Sequence, residues 1–183
     1  MLTPYSDGVF YANNKRINPF LVSCVEMLSP ASAVDFGCGM GVNACYLQEK
    51  GWIVWVVERE DLAINAVRKY FPHDRIFQSD IREFDFSLLP DVSLVVCNYV
   101  LQHLSVVESE LFLQKIVEKL PIGGRIMLSI FERENAIDSV TLKKYLMSNK
   151  CKLVQEKLWT RWDTDHGPVH FHRGYESFWE REK

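Results

Sequence analysis

Residues Val34-Asp35-Phe36-Gly37-Cys38-Gly39-Met40-Gly41 (VDFGCGMG) set three glycines at alternate positions behind a carboxylate, directly after an apolar run. Glycine loses more conformational freedom on folding than any other residue. Three so close together therefore mark backbone that takes positive φ or admits a close neighbour. The stretch reads as a short strand, Ala33 to Phe36, breaking into a turn that feeds a helix from Val42 to Lys50, with Gly51 as its stop.

Working outward, helix and strand signals alternate. Lys15 to Leu28 reads as a helix ended by Pro30, and Ile53 to Val57 as a buried strand ending at Glu58. Asp61 is placed to cap a helix through Tyr70, with Leu62, Ala66, Val67 and Tyr70 as its apolar face; Pro72 stops it. Arg75 to Gln78 and Ser93 to Asn98 read as strands. Val107, Leu111, Ile116 and Leu120 recur at helical spacing, and Arg125 to Phe131 is a fifth strand. This βα rhythm predicts a parallel sheet with helices on both faces. After a helix from Thr141 to Ser148, two strands, Lys152 to Thr160 and Val169 to Glu180, follow with no helix between them. If adjacent, they must pair antiparallel.

The chain has 183 residues, 48% hydrophobic and 25% charged, the composition of a folded protein able to bury a sizeable core. Residues 1–183 read as one domain without repeats or linkers. With 21 Lys and Arg against 24 Asp and Glu, the net charge is −3, and no basic stripe offers a nucleic acid a footprint. No apolar run reaches membrane-spanning length and the first residues lack a signal-peptide pattern, so a cytoplasmic protein is expected. The five scattered cysteines form no CxxC pair and read as reduced, mostly packed thiols.

Two nucleotide-binding turns compete for the glycines. The dinucleotide fingerprint GxGxxG wants glycine or alanine at position 42, where this chain has valine. Asp35 before the turn suits an ammonium group better than a phosphate, since like charges repel in a confined site. VDFGCGMG resembles motif I of the class I S-adenosylmethionine-dependent methyltransferases: an acid, any residue, then Gly-x-Gly-x-Gly. Glu58, ending the next strand in VWVVERE, matches the acid that grips both ribose hydroxyls in that family. FQSDIREF resembles the adenine segment, VVCNYVLQHL the fourth strand and its loop, and LPIGGRIMLSIF the fifth.

The resemblance implies a fold and a cofactor site. The fold is an α/β, seven-stranded, mostly parallel sheet of order 3-2-1-4-5-7-6 with strand 7 antiparallel. In it, Asp35, Gly37, Cys38, Gly39 and Gly41 hold the methionine part of S-adenosyl-L-methionine. Glu58 holds the ribose, Asp80 accepts from the adenine amino group and Ile81 packs on its face. Asn98 and Tyr99 fall where the methyl group transfers. Residues 1–30 become an amino-terminal helical lid segment carrying Tyr5, Phe10 and Tyr11, 31–131 the cofactor core, and 132–183 a helix and strand pair shaping the substrate side.

The expected activity is in-line methyl transfer to a small-molecule oxygen, nitrogen, sulfur or metalloid acceptor, as in tellurite-resistance-like enzymes. A catalytically silent binding module and a protein or RNA methyltransferase are the alternatives. Asn98-Tyr99-Val100-Leu101 lacks the double proline of DNA amino-methyltransferases, and Cys97 follows Val96 rather than the proline of cytosine C5 enzymes. On the acceptor side, DTDHGPVHFHRGYESFWE offers His166 and His170 with Tyr99 as candidate catalytic groups. His172 shares the face of His170 if the segment is a strand, and imidazole titrates near neutrality. Three histidines with Asp163 and Asp165 also have metal-ligand chemistry, but none is assigned as a ligand. His103 is a second candidate base. Trp159, Trp162 and Trp179 either wall a pocket or fill the core.

Overall fold

The computed structural model describes residues 16–163 and 169–183. Twelve regular elements among them are named in chain order: α1 (Pro19–Val25), β1 (Ser32–Phe36), α2 (Val42–Glu49), β2 (Ile53–Glu58), α3 (Asp61–Val67), β3 (Ile76–Gln78), β4 (Leu94–Asn98), α4 (Val106–Lys119), β5 (Arg125–Phe131), α5 (Ser139–Ser148), β6 (Cys151–Asp163) and β7 (His170–Arg181). The seven strands form one sheet in the order β3-β2-β1-β4-β5-β7-β6. β1 to β5 pair in parallel, and β7 runs antiparallel to both β5 and β6. The implied sheet is the observed one.

β1 and β4 are buried along nearly their whole length because the sheet is covered on both faces, which is why they read as continuous apolar runs. Alternate residues enter two different cores. Val34, Phe36, Val95, Cys97, Leu128, Tyr175 and Trp179 face one, with α4 and α5 residues such as Phe112 and Leu142. Ala33, Val54, Val96, Met127 and Phe178 face the other, against Leu21 of α1, Leu47 of α2 and Ile64 of α3. Trp179 is thus a core residue rather than a pocket wall.

Three helix expectations are corrected. The first helix is shorter than predicted, because Asn18 caps it at Pro19: its side chain accepts from the backbone of Phe20 and Leu21. Asp61 is not a cap but the first residue of α3, and its carboxylate accepts from Gln78 Nε2 at 2.6 Å. The buried face of α3 is Ala63, Ile64 and Val67, while Leu62 and Tyr70 are exposed. Likewise α4 buries Ser109, Phe112, Leu113, Ile116 and Val117 and leaves Val107 and Leu111 in solvent. Its start is fixed by a capping box, Ser105 and Glu108 each bonding the other's backbone N–H.

Candidate functional site

The strand order reverses between β1 and β4, and sheets of this kind bind ligands beyond the carboxyl ends of the strands at that point. The glycine turn sits there, with φ of +66° at Gly37, +55° at Gly39 and +79° at Gly41. Gly37 N–H donates to Val57 O at 2.8 Å, tying the turn to β2. The need for glycine at 37 is partly internal: a Cβ there would strike the Val100 side chain, which the loop after β4 lays across the turn.

Asp35, just before the turn, is 1% exposed, and neither carboxylate oxygen has a hydrogen-bond partner among the described residues. Burial, then the nearby charge of Glu58, pushes its pKa up to about 8. A lone buried carboxylate is costly unless something polar or cationic meets it, so the site fits a ligand ammonium group. Glu58 is also buried and largely engaged in shaping the loop, accepting three backbone N–H groups. Its Oε2 accepts from Gly39 N at 2.9 Å, and its Oε1 from Arg59 N at 2.7 Å and Glu60 N at 3.1 Å. Cys38 lies in the turn, its thiol held well above the usual range by burial, then by Asp35 and Glu58. Cys97 is a fully buried core thiol, raised by burial and then by Asp35.

Asp80 does not stand open in the structure. Arg82 bonds its carboxylate through Nε at 2.9 Å and Nη2 at 2.6 Å, and Arg59 Nη1 lies 3.2 Å away. The Arg82 hydrogen bonds hold its carboxyl well below the usual range. To accept from an adenine amine it must give up a guanidinium, and Arg59, with a single longer bond against two from Arg82, is the looser of the two. Ile81 is buried among Phe84 and its neighbours in the α4-side core.

Register sets a polar row across the other face. Asn98 of β4 pairs with Ser129 of β5, and Ser129 with Glu176 of β7. Asn18, from the start of α1, reaches down onto all three: its Nδ2 is 2.8 Å from Asn98 Oδ1, 3.2 Å from Ser129 Oγ and 2.8 Å from Glu176 Oε1. Tyr99 turns the chain with φ +57°, a conformation rare outside glycine. Its ring stacks on Phe131 with centroids 4.4 Å apart, stands edge-on to Trp159, and brings its hydroxyl 3.5 Å from Glu176 Oε1. Burial, then the Glu176 charge, raises the Tyr99 pKa, so the phenol stays protonated.

His172 packs beside Phe131, with ring centroids 4.9 Å apart. His166 lies outside the described residues, as do the side chains of Asp163 and His170 and the amino-terminal aromatics Tyr5, Phe10 and Tyr11. His103 follows β4 with its pKa lowered by burial, then by Arg133 and Arg59. Among the described residues no group of three metal-binding side chains comes together. Trp162 is exposed against Phe171, away from this cluster.

Trp159 packs directly against Gly174, where a Cβ would run into the indole itself. Gly174→Ala is therefore expected to lift Trp159 off Tyr99 and Phe131, shifting tryptophan fluorescence to the red. It should cost about 1–3 kcal/mol in urea unfolding, the usual range for overpacking. An unshifted spectrum would show that the ring does not rest there.

Sequence reasoning missed Asn18, Ser129 and Glu176. A signal existed: Ser129 in IMLSIF and Glu176 in YESFW are polar residues inside apolar runs, and buried polar groups of that kind need partners.

The profile of the family described as methyltransferase domain matches residues 10–174. A carboxy-S-adenosyl-L-methionine synthase from Aliivibrio fischeri is 37% identical over 136 residues, covering 63% of this chain and 54% of that protein. The chain spans about half the length of the curated relatives it matches. TehB from Haemophilus influenzae superposes with a TM-score of 0.78 at 14% identity, over 97% of this chain and 67% of that one. A Burkholderia thailandensis 1,6-didemethyltoxoflavin-N1-methyltransferase, solved with its acceptor and S-adenosylhomocysteine, superposes at 0.72 and 16%, over 98% and 84%. At such identities the superpositions speak for the fold.

Proposed function

Because the chain belongs to the methyltransferase domain family, with the class I S-adenosylmethionine-dependent fold, we propose that it moves a methyl group from S-adenosylmethionine to a small-molecule acceptor by in-line displacement. The observation that carries this reading is Asp35. It is a buried carboxylate with both oxygens unpartnered among the described residues, placed under a glycine turn at the switch point of the sheet. Bound there, the cofactor supplies an electrophilic methyl group on a sulfonium.

The chain's own residues supply placement. Asp35 meets the ammonium, and the glycine turn lets the methionine part lie against bare backbone. Glu58 stands at the ribose, with Asp80 and Ile81 toward the adenine. Asn98 and Tyr99 stand at the acceptor end, where alignment of the nucleophile and exclusion of water lower the barrier most. A net charge of −3 without a basic stripe favours a small acceptor over nucleic acid. The five cysteines are unpaired, and among the described residues no helix is long and apolar enough to cross a membrane; both fit a reaction in the cytoplasm.

The test pairs binding with turnover. Calorimetry is expected to show one S-adenosylhomocysteine site per chain. Protein given methyl-labelled S-adenosylmethionine and a low-molecular-weight metabolite extract should release S-adenosylhomocysteine and transfer label into a small molecule. Binding without any transfer would favour a silent module. No binding at millimolar ligand would end the reading.

A further inference from the structure

Resting on that reading, we propose that the acceptor is a small organic oxyanion, a carboxylate or acidic phenol methylated on oxygen, because Asn98 is locked with its amide N–H₂ as the group it offers at the tip of β4. Amide orientation is rarely visible directly and must be read from partners whose roles are fixed. A backbone N–H only donates and a carboxylate only accepts. Two such groups settle this row.

Phe20 N and Leu21 N donate to Asn18 at 2.8 and 3.4 Å, so the atom they meet is Oδ1. Asn18 Nδ2 therefore faces the sheet. There it lies 2.8 Å from the Glu176 carboxylate, which can only accept, and 2.8 Å from an amide atom of Asn98. That atom must be Oδ1, since the reverse orientation would set N–H₂ against N–H₂. Ser129 Oγ, at 3.2 Å, adjusts to either neighbour because a hydroxyl both donates and accepts. The Asn98 carbonyl is thus consumed inside the protein, which leaves its two N–H donors as what it has to offer a ligand at the tip of β4.

The remaining groups agree with an anion. Glu176 is 4% exposed. Its Oε1 is taken by Asn18 and approached by Tyr99, and its Oε2 lies 4.0 Å from Lys157 Nζ, so its charge is answered internally. The charge of Arg161 reaches Tyr99, behind that of Glu176, and those of Arg133 and Arg59 reach His103 on the same loop. An amine acceptor would want a free acceptor atom and a base to take its proton; in this row the Asn98 carbonyl and Glu176 Oε1 are already bonded by Asn18. An oxyanion needs no base. Its O–CH₃ bond forms as the sulfonium S–CH₃ bond breaks, the electron pair of the broken bond stays on sulfur, and the opposite charges cancel without a proton moving.

The test titrates S-adenosylhomocysteine-loaded protein with benzoate, 4-nitrophenolate and benzylamine, in wild type, Asn98→Asp and Asn98→Ala. At least one oxyanion should saturate in the millimolar range, with benzylamine tenfold weaker or more. Asn98→Asp, which replaces the donors with a charge, should reverse that order, and Asn98→Ala should erase it, so one variant serves if the other fails to fold. Benzylamine binding as tightly as both oxyanions, no oxyanion binding, or a preference unchanged in the variants overturns the inference. If S-adenosylhomocysteine binds and these outcomes appear, only the acceptor class falls. If it does not bind, the methyl-transfer reading itself fails.

Discussion

Ligand-free Asp35→Asn protein is expected to melt well above wild type at pH 8 and to converge with it as the pH falls to about 4. The Asp35 carboxyl has a pKa of about 8 in the fold against an ordinary value of 3.8, raised by burial and then by Glu58. Between these two values the unfolded chain has lost the proton while the folded chain keeps it. The folded state therefore binds more protons, and stability falls as pH rises, by roughly 1.4 kcal/mol per pH unit from this group. Above about pH 8 both states are ionised and the contribution is flat. Asparagine imitates the neutral acid and removes the slope. Around Asp35 stand Glu58 from β2, Cys38 in the turn, Cys45 on α2 and Cys97 on β4. The three thiols are themselves raised by burial and stay neutral in this window, so Glu58 is the neighbour whose charge matters. Melting curves from pH 4 to 9 decide it: parallel profiles for the two proteins would remove Asp35 as the source.

The same residue should answer a ligand in the opposite sense. An ammonium group against Asp35 favours the carboxylate, so S-adenosylhomocysteine binding at pH 7 should expel close to one proton. Affinity should rise up to about tenfold per pH unit until about pH 8. Calorimetry in buffers of different ionisation enthalpy reads the proton directly. In Asp35→Asn it should vanish along with most of the affinity. A residue that weakens the empty protein and, as proposed, holds its ligand would show the stability–function conflict common at binding sites.

Much of this was legible from patterns. β1 and β4 are buried on both sides, so their apolar runs needed no partner to be recognised. The pair β6 and β7 followed from the lack of any helix to carry a parallel crossover. The candidate cofactor end could be picked out because it is local: Asp35 and its glycines occupy seven consecutive positions, with Glu58 closing the next strand. Helix faces were harder. Choosing Phe112 and Leu113 on α4 over Val107 and Leu111 required knowing the rotation of the helix on the sheet, and single apolar residues in solvent are ordinary. The row of Asn18, Asn98, Ser129 and Glu176 spans 158 positions between its ends and exists only through register. His170 and His172 attracted attention by chemistry alone, while the buried acid on the same strand, Glu176, looked like one charge among many.

Glu58→Gln should weaken S-adenosylhomocysteine binding by tenfold or more and abolish discrimination between that ligand and its 2′-deoxy analogue. A carboxylate offers about four acceptor positions. Three are in use: Gly39 N–H on Oε2, and the N–H groups of Arg59 and Glu60 on Oε1. One ribose hydroxyl therefore has a place on Oε2 beside Gly39, and a second must share or displace an existing donor. This couples sugar binding to the glycine turn. Glutamine replaces one oxygen with N–H₂, and whichever way it turns, a donor meets the donors of Gly39 or of Arg59 and Glu60. Leaving such buried groups unpaired costs about 1–3 kcal/mol, enough for the expected loss. Because ligand and protein changes act on the same hydrogen bond, the two perturbations should be non-additive. Calorimetry on both proteins with both ligands closes the cycle. Additive losses would place the ribose elsewhere and leave Glu58 as a brace for the turn alone.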